Sequence, residues 1–277
     1  MFTTTLPIRR IAVRPILIAA LAAMLAVIAL ATTAMAKPAL AASDKPTIVL
    51  VHGAWADPGG WAQVRAILGK DGFTTVAPRL DLLGIASDAQ IVRDALDAIP
   101  GDKILVAHSY GGVVISNAAY GRSDVLGLVY TAAFVPDEGD SILSLVEGFN
   151  PPAVLPHLVW TGEPFASTAF IDRDFFPSLF AGDLSPKKAA ELNDGQQPAS
   201  VSLLISGSGP GAWHSLPSWY AVSGQDLVID PAAQQWMAER AGATIVHFDD
   251  ASHAGGFTHY ASRFTKLIEQ AVAATAG

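Results

Sequence analysis

The chain has 277 residues and no cysteine, which excludes disulfide staples, thiolate catalysis and Cys-based zinc sites. Hydrophobic residues make up 51% and charged residues 15%, the balance of a well-buried globule and not of a disordered chain. Seventeen basic against 25 acidic side chains leave a formal charge of −8, a poor match for nucleic acid or an anionic membrane surface.

Arg9, Arg10 and Arg14 precede an apolar run from Pro15 to Leu30. Ala34-Met35-Ala36 then offers the small-x-small pattern of a cleavage site, with Ala39-Leu40-Ala41 as a second candidate. This predicts a secretory signal peptide over residues 1–36, or to residue 41, and hence an exported, periplasmic or secreted protein. The alternative is an uncleaved membrane anchor, since about 20 apolar residues can span a bilayer. Loss of residues 1–36 removes three arginines and no acid, taking the charge from −8 to −11. Residues 37–44 read as a linker, and residues 45–277 as one domain.

From there, short apolar runs alternate with amphipathic segments. Thr47–Val51, Phe73–Ala77, Lys103–Ala107, Val125–Thr131, Trp219–Ser223 and Thr244–Phe248 are predicted strands. Trp61, Val64, Ile67 and Leu68 share one helical face, as do Val92, Leu96 and Ile99. Such alternation implies a parallel sheet covered on both faces. Between about residues 135 and 216 the alternation stops, and the chain becomes rich in Pro, Gly and aromatics, among them Phe149, Trp160, Phe165, Phe176 and Trp213, without a clear strand period. An insertion placed after a strand at the carboxyl edge of the sheet is well sited to become a lid, and its aromatic content suits an apolar substrate.

The most informative stretch is Ala107-His108-Ser109-Tyr110-Gly111-Gly112, where a predicted strand turns into a helix with serine at the apex. Small neighbours allow a strained turn to lift the hydroxyl above the sheet edge, as in the G-x-S-x-G elbow, although Ala107 stands in the place of the first glycine. An ordinary Gly-rich turn is the alternative. A serine nucleophile needs a base and an orienting acid, in the order Ser, Asp or Glu, His. His253 and Asp226 both follow predicted strands and are expected to meet Ser109, with Asp230, Asp249 and Asp250 as competing acids. His52 is expected to prop the first loop. Backbone N–H groups of Ala54, in the His52-Gly53-Ala54-Trp55 turn, and of Tyr110, after the serine, are the expected oxyanion donors. Trp55 and Trp160 are the expected substrate contacts.

Ile48-Val49-Leu50-Val51-His52-Gly53-Ala54-Trp55, the glycine pair before Trp61, the Ser109 elbow, Ala132-Ala133-Phe134-Val135-Pro136-Asp137 and the Asp226 and His253 loops together resemble the α/β-hydrolase superfamily. Within it they are most similar to the branch of methyl esterases, salicylate-binding esterases and hydroxynitrile lyases. The resemblance implies an α/β-hydrolase fold with a mostly parallel, doubly wound sheet and a lid insertion after the strand that follows the nucleophile helix. It also implies a serine esterase acting through an acyl-enzyme on a small to medium, largely apolar carboxylic ester, with no metal or organic cofactor. Lyases of this pattern carry threonine at the position of Gly53 and lysine at that of Ala254, so hydrolysis is the expected chemistry here. Two alternatives remain: a ligand-binding or receptor-like protein on the same scaffold, and a perhydrolase or lyase of the superfamily.

Overall fold

The computed structural model describes residues 45–162 and 167–276; the expected signal peptide, the 37–44 linker and Phe165 lie outside them. Six parallel strands form the central sheet in the order β2-β1-β3-β4-β8-β9. They are β1 (Thr47–Val51), β2 (Thr75–Val76), β3 (Lys103–Ser109), β4 (Val125–Ala133), β8 (Ser218–Ser223) and β9 (Thr244–Phe248). Every residue of β3 is buried, as expected of a strand covered on both faces, which is why these strands read as continuous apolar runs instead of alternating ones. The α/β-hydrolase fold expected from the sequence is the fold observed.

Helix α1 (Ala62–Lys70) buries Val64 and Leu68, and α2 (Ile85–Ala98) buries Ile85, Ala89, Val92 and Leu96. Helix α3 (Gly111–Ala118) is buried on all sides, so it shows no polar face. Helices α8 (Pro231–Arg240) and α9 (Ala261–Thr275) follow the last two strands. At the sheet edge, β2 is shorter than the predicted Phe73–Ala77 because the Phe73 N–H donates to the carbonyl of Leu68, closing α1 instead of joining the ladder.

Between β4 and β8 the chain forms α4 (Ile142–Leu145), β5 (Leu158–Thr161), β6 (Thr168–Ile171), α5 (Phe176–Phe180), α6 (Pro186–Asp194), β7 (Ala199–Ser200) and α7 (Ser202–Ile205). Strands β5, β6 and β7 pair antiparallel in a second, three-stranded sheet, which the sequence pattern does not announce. Phe176 and Phe180 are fully buried, so much of the aromatic content packs the insertion onto the body. Among the described residues no helix is long and apolar enough to cross a membrane.

Strand order reverses direction around β1 and β3, whose carboxyl ends lie side by side. In open α/β sheets this switch point is where the crevice for a ligand forms.

Candidate active site

Ser109 ends β3 with φ 54°, in the left-handed region that non-glycine residues rarely occupy. The ladder to β4 slips between His108 and Ser109, which places Ser109 opposite Ala133. Strain of this kind, worth about 1–3 kcal/mol, persists only where the surroundings hold it. Here the Phe134 N–H donates to the Ser109 carbonyl at 3.1 Å, and the buried Tyr220 hydroxyl donates to the Ala133 carbonyl at 2.5 Å while accepting from the Ala133 N–H at 2.9 Å. Close backbone approach explains the two glycines that follow: a Cβ at Gly112 would lie 2.1 Å from the Phe134 carbonyl oxygen, and one at Gly111 2.6 Å from that of Val51.

His253 and Asp226 sit in the loops after β9 and β8, and both side chains are fully buried. Asp226 Oδ2 accepts from His253 Nδ1 and from Gln234 Nε2, each at 2.8 Å. Its Oδ1 accepts from the N–H groups of Val228 at 2.7 Å and Ile229 at 2.9 Å. Four donors fix this carboxylate in orientation, and with His253 Nδ1–H donating to it, Nε2 of His253 is left as the acceptor. That Nε2 is buried and bonded to no protein group, and no hydrogen bond joins it to Ser109 Oγ. Such bonds are often long before substrate binds.

The competing acids stand elsewhere. Asp230 caps α8 through the Ala232 N–H and holds Asn150, whereas Asp249 and Asp250 are exposed. His52 does prop the first loop: its Nδ1–H donates to the Gly53 carbonyl at 2.9 Å and its Nε2 accepts from the Leu80 N–H at 3.0 Å. Burial lowers its pKa to about 4. His108 donates through Nε2 to the carbonyl of His253 at 3.0 Å, and burial holds it well below the ordinary imidazole range. Both imidazoles are therefore neutral frame pieces. Their rings bear on the site, with His108 4.5 Å from His253.

The N–H groups of Ala54 and Tyr110 donate to no protein acceptor among the described residues. Both residues line a cavity with Ser109, walled by Trp55, Phe134, Ile142, Val154, Leu204 and Val228. Trp55, itself at φ 57°, donates through Nε1 to the Ala169 carbonyl on β6 and so ties the first turn to the insertion. Trp160 does not line this cavity; it is 44% exposed and shares a narrow adjoining space with Ala54 and Trp55.

Two buried supports escape the sequence reading. Asp88 accepts from the Tyr110 hydroxyl at 2.8 Å and from the N–H groups of Asp81 and Leu82 at 3.1 Å each, and its pKa is raised by burial. Gln234 bridges Asp226 and the Ser223 N–H. The one signal for Asp88 is a carboxylate on the apolar face shared by Ile85, Ala89 and Val92.

Comparison with known proteins agrees with this fold. A family model described as the alpha/beta hydrolase family matches residues 48–266. The carbendazim hydrolyzing esterase of Nocardioides sp. (strain SG-4G) is 38% identical over 123 residues, which cover 38% of this chain and about half (49%) of that protein. A pyrethroid hydrolase from Sphingobium faniae JZ-2 superposes with TM-score 0.70 at 23% identity, covering 83% of this chain and 98% of its own. An extracellular alpha/beta-hydrolase from a Paenibacillus species, described as sharing structural and functional homology with tobacco salicylic acid binding protein 2, superposes with TM-score 0.66 at 19% identity over 82% of this chain and 99% of its own. From residue 48 to residue 266, then, with its reactive loops at the carboxyl ends of a parallel sheet, this chain belongs to the alpha/beta hydrolase family.

Proposed function

We propose that this protein is a serine esterase that cleaves a largely apolar carboxylic ester through an acyl-enzyme. The observation that carries the reading is His253, buried, held at Nδ1 by a fully satisfied Asp226 and left with a free acceptor at Nε2. Ser109 Oγ attacks the ester carbonyl carbon as its proton passes to His253 Nε2, and Asp226 stabilises the imidazolium that results. The carbonyl oxygen, now negative, is met by the N–H groups of Ala54 and Tyr110, which have no competing acceptor. Collapse breaks the ester C–O bond, His253 returns the proton to the leaving alcohol, and water deprotonated by His253 then releases the acid.

Three further observations support ester hydrolysis. The walls of the Ser109 cavity are apolar. Relatives in sequence and fold include proteins named as an esterase and a pyrethroid hydrolase. The lyase alternative lacks its residues: a Cβ at position 53 would fall 2.6 Å from Ser109 Cβ, and position 254 is a fully buried alanine. Export belongs to the same reading and rests on the leader pattern of residues 1–36.

The test is hydrolysis of a p-nitrophenyl ester series by the purified protein and by Ser109→Ala, with circular dichroism to verify the fold. Turnover should fall by at least about 10⁴-fold in the variant, since removing the nucleophile leaves only oxyanion stabilisation and binding. A folded variant that keeps a tenth of the wild-type rate rejects the mechanism.

A further inference from the structure

The Ser109 cavity is small, about 30 Å³, well below the roughly 300–1,000 Å³ of small-molecule sites. An ester group with substituents on both sides does not fit there. Adjoining the cavity lies a groove of about 530 Å³, within that range. Three side chains line both spaces: Leu143 on α4, Leu155 and Leu204 on α7. They form a partition with one side towards Ser109 and the other towards the groove. The rest of the groove is Leu158, Trp160, Val201 and Ile205, so no charged or hydrogen-bonding side chain except the Trp160 indole lines it.

Exposure here is also unusual. Leu143, Trp160 and Ile205, all lining the groove, are 40%, 44% and 57% exposed. These residues are close together on short elements, and α4 and α7 have only four residues each, so the partition rests on single turns. A contiguous apolar surface continuous with a reactive cavity calls for an apolar occupant.

We infer that this groove is the subsite for an extended apolar or aromatic group of the ester substrate, which reaches Ser109 by displacing the leucine partition. The inference rests on the esterase reading for the position of the carbonyl, and it assigns the substrate class: a neutral ester with one small substituent and one long or aromatic one. Carboxylate or ammonium groups on the long arm are excluded by the cost of desolvating a charge against this lining. Trp160 offers a flat face to the bound group, and Ile205 closes the far wall.

The experiment compares wild type and Ile205→Asp on methyl acetate, methyl decanoate and decyl acetate, with Tyr120→Asp, an exposed position outside the insertion, as the control. For the better of the two long esters, the kcat/KM ratio to methyl acetate should fall at least about tenfold in Ile205→Asp, a change of about 1.4 kcal/mol, and should not move in Tyr120→Asp. Preference between methyl decanoate and decyl acetate then tells which side of the ester carries the long arm. A second measurement does not depend on turnover: p-nitrophenyl decanoate binding to Ser109→Ala and to Ser109→Ala/Ile205→Asp, followed by tryptophan fluorescence. The double variant should bind with Kd at least about tenfold weaker, on the same scale. Equal Kd values overturn the groove whatever the turnover, whereas absence of wild-type turnover with Ile205-sensitive binding rejects the esterase reading and keeps the groove.

Discussion

In the parallel sheet, β3 buries every residue from Lys103 to Ser109, while in the insertion β5 leaves Val159, Trp160 and Thr161 exposed. The sheet holds strained or buried polar groups by surrounding them: Ser109 through Phe134 and the Ala133–Tyr220 clamp, Asp226 through four donors. Short strands and single-turn helices of the insertion have no such depth. Reacting groups need fixed geometry to within fractions of an ångström, whereas the surface that admits substrate has to yield. Under the proposed function, the contrast separates what performs the chemistry from what selects the molecule.

Breaking the frame should cost most, and Asp226→Asn is the sharpest cut after loss of the nucleophile. An amide at this position cannot hold His253 in the tautomer that leaves Nε2 basic, so kcat should drop by roughly 10³- to 10⁴-fold with the fold preserved. Asp249→Asn and Asp250→Asn, on exposed positions, should each cost less than about tenfold. A single ester assay ranks the three, and a larger loss at Asp249 or Asp250 would move the acid.

Gly112→Ala tests the frame through packing. Its Cβ would sit 2.1 Å from the Phe134 carbonyl oxygen, and backbone on both sides has no room to retreat. Stability should fall by about 3 kcal/mol or more, the range of overpacked buried sites, read as a lower urea midpoint.

Acidification probes the neutral imidazoles. His52 takes a proton near pH 6.5 when unfolded but only near pH 4 when folded, so between these values the unfolded chain binds more protons and stability declines as pH falls. Below about pH 4 both states are protonated and the decline from this group ends. At pH 4.5 the loss is about 2 kcal/mol relative to pH 7, at 1.36 kcal/mol per unit. His52→Gln should flatten the urea-midpoint profile by that amount, and an unchanged slope would assign the acid sensitivity to His108 instead. Asp88 opposes both, since a carboxyl whose pKa is raised in the fold is favoured by acid.

The smallest effect belongs to the seam between the two regions. Asp183, after α5, accepts from Ser252 Oγ and His259 Nδ1, and the Phe180 carbonyl accepts from the Ala254 N–H. The insertion thus braces the His253 loop. Asp183→Ala should lower kcat about tenfold with KM little changed, in the manner of lost supporting contacts. An unaltered kcat would show that the sheet alone positions His253.

The core strands were legible because each is a local event: Thr47–Val51 and Thr244–Phe248 are found where their apolar runs lie, and β3 and β4 extend two residues past theirs. The left-handed turn at Ser109 was legible for the same reason, since small flanking residues are a local steric demand. Residues 158–161 and 168–171 were not, because four-residue strands on a half-exposed sheet carry no period that differs from loop composition. Trp160 is expected at the substrate from residue type alone, and its place in the larger groove, not in the Ser109 cavity, depends on how β5 pairs with β6.

By itself, the sequence determined the family of the fold, the order of its parallel strands along the chain and the serine at the elbow, all through spacing and side-chain size within short windows. Only the tertiary structure decided which carboxylate meets His253, across 27 residues of chain, and that Asp88 would close on Tyr110 across 22. It also decided that the Ser109 cavity is nearly filled while a larger apolar groove lies beyond three leucines. Those outcomes follow from close packing of elements distant in sequence, where a donor, an acceptor or an empty volume is set by several side chains at once and by no one of them alone.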